Sequence, residues 1–300
     1  MERNILYKTI NVAKKHNVDL AIPNVEGSGI GNALVYTRLV EEYSMKLGRP
    51  ISIFTGPLAP SIGKVENEDL FAIWRNNPFI DKIIDGSKFK EDLLIINKDE
   101  DELIQFNHII ENICWAYGLK PRKLRSCIYL SHEEKQWALK ALEGLKRPLV
   151  CLHPGGNTKS SIDSPWYKRN WHSLINTLES EFGFFQVGRT EFGDYDLGLR
   201  NPAVKLRETM ALIWACDFYV GFDSSPMHIA TSFQKPLVCL IDMRRKFEAE
   251  KQYSDLHIPS VTLRWLYPNN RNISIMENDF DQESLKAVIK QLLKYKSELY

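Results

Sequence analysis

The sequence predicts an α/β fold made of two consecutive halves, each with a parallel sheet, and three observations carry that expectation. Short apolar runs alternate with stretches of helical periodicity, the signature of βαβ units. The alternation restarts after Lys146-Arg147, which places a boundary there and gives domains over 1–146 and 147–280, with a C-terminal helix over 281–300 that could pack back on the first domain. Finally, Asp217–Ile241 packs strand, polar turn, helix and second strand into one short stretch, DFYVGFDSSPMHIATSFQKPLVCLI.

Taken in order, Leu20–Val25 and Ile51–Thr55 read as strands. Between them Leu34, Tyr36, Leu39, Val40, Tyr43 and Leu47 give Ala33–Leu47 helical spacing. The turn that joins the first strand to this helix, Glu26-Gly27-Ser28-Gly29-Ile30-Gly31-Asn32, is rich in glycine and suits close approach of a substrate to the backbone. It lacks the third spaced glycine and the acidic residue of a dinucleotide site, so an NAD site is not expected. Ile80–Ile84 and Leu93–Ile96 are further strands, and a helix from about Glu102 to Tyr117 carries Trp115 on its apolar face. Ser131-His132-Glu133-Glu134 is a capping signal that opens a helix to about Leu145. In the second half Pro148–His153, Phe184–Val187, Phe218–Gly221 and Leu237–Ile241 are strands, and Trp171–Phe182, Leu206–Ala215 and the lysine-rich Gln282–Leu299 are helices.

Composition excludes several classes. The 300 residues are 44% hydrophobic, enough for a substantial core, and the formal net charge of +1 gives no global field toward nucleic acid or an anionic membrane. The five cysteines, Cys114, Cys127, Cys151, Cys216 and Cys239, show no CxxC spacing and read as buried thiols of a reducing compartment. The N-terminal stretch has no apolar leader core, and no window approaches ~20 apolar residues in a row, so a soluble cytoplasmic protein is expected.

The polar knot of Asp217–Ile241 is the expected active site. Asp223, Ser224 and Ser225 are preferred N-cap types and Pro226 suits the first helical position, so a helix N-terminus opens at the carboxyl end of a strand. Such an end attracts phosphate through its unpaired N–H groups and the positive pole of the helix dipole. A bland alternative is that these residues only cap a helix. His228, one turn in, weighs toward a site, because a structural element would more often place an apolar or acidic residue there. Three more polar turns lie at strand or helix ends: His153-Pro154-Gly155-Gly156-Asn157-Thr158-Lys159, Gly188-Arg189-Thr190-Glu191 and Lys168-Arg169-Asn170-Trp171. In an open parallel sheet ligands bind along the edge where the strands' carboxyl ends gather.

The series HPGG, KRNW leading into HSLINTL, FFQVGRTE, and LRETMALIWACDFYVGFDSSPMHIA followed by KPLVCLI resembles the C-terminal domain of glycosyltransferase family 9, the heptosyltransferase-like enzymes, over about Ser131 to Asp242. Ser225 stands where the family's Asp-Ser/Thr-Gly-x-x-His run has glycine. The resemblance implies a GT-B fold: two Rossmann-like α/β/α domains with parallel sheets facing across a cleft, nucleotide-sugar donor on the C-terminal one and acceptor on the N-terminal one. It also implies inversion at the anomeric carbon without a metal or other cofactor. Carried over, Asp223 would bond the donor sugar, and Ser224, Ser225 and His228, beside Pro226, would gather around the diphosphate. Lys168 would neutralise the leaving group, Asn157 and Thr158 would line the phosphate pocket with His153, Gly156, Gly188 and Arg189 nearby, Glu191 would reach the ribose, and Val204 would contact the base.

The first half departs from the family. An aspartate there follows the loop glycine and deprotonates the acceptor; here Asn32 follows Gly31, and an amide is no general base. Glu26, at the start of the same loop, is the candidate substitute, with an ordinary exposed carboxylate as the plain alternative; Gly29, Gly31 and Asn32 would line the acceptor side. The expected function is transfer of a sugar from an ADP-heptose-like or other nucleotide-diphosphate sugar to a hydroxyl of a surface glycan, lipopolysaccharide or other acceptor. The near-neutral charge argues against DNA. A catalytically silent nucleotide-sugar-binding module and a GT-B-like sugar-nucleotide epimerase or hydrolase are the alternatives. Asp99-Glu100-Asp101 and Asp194-Tyr195-Asp196 hint at a metal but make incomplete sites. Arg244-Arg245-Lys246 reads as a solvated run, His108, His132, His172 and His257 as surface or helix-edge residues, and Trp166, Trp171 and Trp214 as core anchors, with Trp166 near enough to Lys168 to flank the cleft.

Overall fold

A computed structural model describes residues 2–25, 30–58, 69–92, 95–96, 108–155, 169–188, 195–242, 265–268, 270–275 and 282–299. Two compact units divide it, Met1–Leu130 and Ser131–Tyr300.

In the first unit, helix α1 (Glu2–Lys15) precedes β1 (Leu20–Ala21) and β2 (Asn24–Val25), so the expected strand Leu20–Val25 is two short pieces in different sheets. Helix α2 (Ile30–Leu47) leads to β3 (Ile51–Thr55), β4 (Ile80–Asp85) and β5 (Ile95–Ile96). One sheet has the order β1-β3-β4 and the other pairs β2 with β5, all in parallel. α1, not foreseen in the sequence, buries Val12 and Ala13 against Ala21 and Phe54. Helix α3 (Ile109–Ala116) ends the unit's regular structure. Trp115 corrects the expectation: it is 45% exposed, because Ile109, Ile110, Ile113 and Cys114 form the buried face.

The second unit opens with α4 (His132–Ala141), capped by Ser131 and Glu134 in a reciprocal capping box. α4 packs on α6 (Leu206–Ala215) within this unit, with Glu134 Oε1 accepting from Arg207 Nε at 2.6 Å, so the division falls before α4 and not at 146/147. β6 (Leu149–His153), α5 (Trp171–Leu178), β7 (Gly183–Gln186), β8 (Phe218–Phe222), α7 (Ser225–Ser232), β9 (Leu237–Asp242), β10 (Arg271–Ile275) and α8 (Gln282–Leu299) complete it. The five strands are all parallel in the order β10-β9-β8-β6-β7. Alternate residues Val150, Leu152, Phe218, Val220, Phe222, Val238 and Leu240 form one buried cluster with Trp171, Leu174 and Leu178 of α5 and Val288 and Leu292 of α8. α8 therefore contributes to the core of the second unit. The chain leaves β6 for an outer strand, β7, and returns to β8 on β6's other side. That reversal makes the β6/β8 gap the topological switch point, the place on such a sheet where ligands bind at the strands' carboxyl ends.

Candidate functional site

The residues at the switch point are those singled out in the sequence. His153 ends β6 and pairs in register with Gly221 of β8. It is 3% exposed, and its Nδ1 lies 3.1 Å from Oγ of Ser224, two residues past the end of β8. Gly221 makes this approach feasible, since a Cβ there would meet His153 Cβ at 2.9 Å and run into the Tyr219 hydroxyl.

Ser224 is the N-cap residue of α7, in extended conformation, yet its side chain caps nothing. Its hydroxyl bonds the Phe222 carbonyl at 3.3 Å besides His153, while its own carbonyl accepts from the amides of Met227 and His228. The expectation that the side chain serves the helix is therefore corrected for Ser224: it ties two strand ends across the switch point. Ser225 and Pro226 form the first turn, with Pro226 buried and Asp223 and Ser225 partly exposed beside it. His228 is only 5% exposed, and its Nδ1 bonds the buried Tyr267 hydroxyl at 2.7 Å. Nothing in the sequence links Tyr267 to this turn.

The remaining positions on this edge follow β7. Gly188 adopts a φ of +110°, a region that favours glycine, and its carbonyl accepts from Asn201 Nδ2 at 2.8 Å. Val204 is 60% exposed, just before α6, where the Glu208 carboxylate accepts from the amides of Val204 and Lys205 at 2.8 and 3.0 Å. An apolar side chain held out by a fixed backbone can contact a planar ring. Gly31 and Asn32 lie in the first turn of α2, partly exposed, in the first unit. Glu26, Gly29, Gly156, Asn157, Thr158, Trp166, Lys168, Arg189, Glu191, His257 and the run Arg244-Arg245-Lys246 lie outside the described residues, as do Asp99-Glu100-Asp101 and Asp194.

Elsewhere, His108 is the helix-edge residue expected, but buried and not on the surface. It is the N-cap of α3, accepting from Ile110 N at 3.2 Å, and burial lowers its pKa to about 4. Trp171 is a core residue as expected. All five cysteines are free and buried; burial pushes the Cys114 thiol up to about 12. Among the described residues no group of three or more His, Cys, Asp or Glu is placed to hold a metal, and no helix is long and apolar enough to cross a membrane.

Residues 200–245 match the sequence model of glycosyltransferase family 9 (heptosyltransferase), a span that contains α6, β8, the Asp223–His228 turn, the rest of α7 and all of β9. No curated protein matches the chain. Among solved structures, the family 9 glycosyl transferase of Veillonella parvula DSM 2008 superposes with a TM-score of 0.61 at 13% identity, covering 93% of this chain and 97% of that one. ADP-heptose lipopolysaccharide heptosyltransferase II of E. coli gives 0.60 at 14% identity, over 93% and 99%. The dodecameric iron-containing heptosyltransferase TibC of enterotoxigenic E. coli, in complex with ADP-D-β-D-heptose, gives 0.53 at 13%, over 93% and 77%. The fold is GT-B, and the chain is heptosyltransferase-like in architecture over nearly its whole length and in sequence over 200–245.

Proposed function

We propose that this chain is an inverting, metal-independent glycosyltransferase that moves a sugar from a nucleotide-diphosphate donor, bound by the second unit, to a hydroxyl acceptor bound by the first. The observation that supports it most is the join of His153 and Ser224 at the switch point, at the mouth of α7, with Ser224 inside the segment that matches the family.

The chemistry follows from charge. Breaking a glycosyl phosphate bond leaves a nucleoside diphosphate with extra negative charge, so positive groups fixed at that oxygen lower the barrier. The N-terminal pole of α7 supplies one, and Lys168 would supply a second, together doing what a divalent cation does elsewhere. Ser224, Ser225 and His228 would hold the diphosphate, Asp223 the sugar, Glu191 the ribose and Val204 the base. The E. coli and TibC relatives are described with ADP-heptose, which makes an adenine nucleotide the first donor to try. The acceptor would be a glycan hydroxyl in a surface polymer, and free buried thiols suit work in the cytoplasm.

Asn32 stands where the acceptor's base is expected, and Glu26 is the proposed replacement. On that view Glu26→Gln lowers the rate of transfer by about 100-fold or more while nucleotide binding stays as it was. An unchanged rate would remove Glu26 from the mechanism. Asn32 also favours a second reading, a module that binds nucleotide sugar and transfers nothing.

A thermal-shift screen with ADP, UDP, GDP and CDP and their sugar conjugates, each with Mg²⁺, with Fe²⁺ and with a chelator, tests the donor site. Ligand at about 100 times its Kd adds roughly 2.7 kcal/mol of apparent stability. One nucleotide that shifts Tm equally in chelator supports the reading; dependence on a metal ends metal independence, and no shift with any nucleotide ends the donor site. Product analysis with the binding nucleotide sugar then separates transfer from hydrolysis, epimerisation or silence.

A further inference from the structure

Tyr267 lies 39 positions from His228, in the short stretch that leads into β10, and is 1% exposed. Besides the 2.7 Å contact of its hydroxyl with His228 Nδ1, the two rings meet edge to face at 5.5 Å and 77°. Trp265 meets the same imidazole edge to face at 6.1 Å and 73°. The stretch is fastened to α7 and to itself: Asn270 Nδ2 is 3.6 Å from Met227 Sδ, and Asn270 N donates to the Tyr267 carbonyl. An imidazole between two aromatic rings and a hydroxyl keeps one orientation. A phenol is a good donor and an imidazole nitrogen a good acceptor; a hydroxyl that donates to Nδ1 leaves the ring's own proton on Nε2.

We propose that Tyr267 is a positioning residue, which fixes His228 as the tautomer whose Nε2–H donates to the diphosphate of a nucleotide. The inference rests on the reading of the second unit as a nucleotide-sugar donor site. An imidazole free to change tautomer would present a lone pair to an anion part of the time, a repulsive contact where a donor is needed. Other titratable groups lie on the elements around α7: Arg207 and Glu208 on α6, Tyr219 on β8, and Cys239 and Asp242 on β9. The Tyr267 hydroxyl is hydrogen-bonded to the ring itself.

The test compares the full chain with Tyr267→Phe, which removes one oxygen and keeps the ring. Imidazole ¹⁵N spectra of histidine-labelled protein report the tautomer, and titrations with ADP, UDP and GDP at about pH 8 report binding. The expected wild-type spectrum shows His228 as a single Nε2–H tautomer, and the variant shows a mixture with Tm little changed, a spectral change that a packing role does not produce. Nucleotide affinity in the variant falls about tenfold. A wild-type Nδ1–H tautomer overturns the proposal even if the variant does not fold, and so does a variant that keeps the single tautomer or the wild-type affinity. If wild type binds none of the nucleotides, the donor-site reading falls with it; if wild type binds and the variant behaves alike, only the role of Tyr267 falls.

Discussion

Ser224 begins a helix without capping it, and that choice separates the two readings of the Asp223–Ser225 turn. A serine cap is worth about 1 kcal/mol to its helix, and this one commits its hydroxyl to His153 and Phe222 instead. Ser224→Ala is therefore expected to change stability by well under that amount and to weaken nucleotide binding several-fold, measured as Tm against Kd on the same preparation. Asp223→Ala and Lys168→Ala are expected to weaken donor binding or turnover at least tenfold. If all three behave as wild type, the site is elsewhere. The turn was legible because N-cap residue types followed an apolar run, and His153 because it closed another. What those side chains touch was not legible: the His153–Ser224 and His228–Tyr267 contacts span 71 and 39 positions and leave no local trace.

Among the elements, α3 carries an acid-sensitive fastening. The cap on its first turn is the His108 imidazole, which can accept from Ile110 N only while Nδ1 is unprotonated. Burial lowers this histidine from an ordinary 6.5 to about 4, so the folded chain binds its proton later than the unfolded one. The contribution is fully present above pH 6.5 and is lost as pH falls toward 4, up to a few kcal/mol in all. Tm should fall across that window, and His108→Asn, whose amide caps without titrating, should flatten the fall; an equal slope in both proteins would put the acid sensitivity elsewhere. Strong periodicity made Leu206–Ala215, Gln282–Leu299 and Ile51–Thr55 readable to the residue. α1 and β10 were missed for opposite reasons. α1, ERNILYKTINVAKK, hides a narrow apolar stripe among polar residues, and β10, RNISI, is an edge strand too short and polar to announce itself.

At the scale of the molecule, two compact units with separate cores predict separate melting. Calorimetry should resolve two transitions, with the binding nucleotide raising only that of 131–300; a single transition that moves as a whole would mean the units unfold as one. Fold class and the existence of two halves followed from the alternating pattern, but the boundary did not, because α4 looks in sequence like the close of the first half and is claimed by the second through Arg207 and Glu134. The strand order β10-β9-β8-β6-β7 has one more consequence, for engineering. β7 stands at the end of that order, and residues after it help to hold it: Leu197 belongs to the buried cluster, its amide donates to Gln186 Oε1, and the amides of Gln186 and Val187 donate to the Arg200 and Leu152 carbonyls. An exchange of the stretch between β7 and α6 for that of a chain with another donor preference keeps β7 in register only if it carries these contacts over.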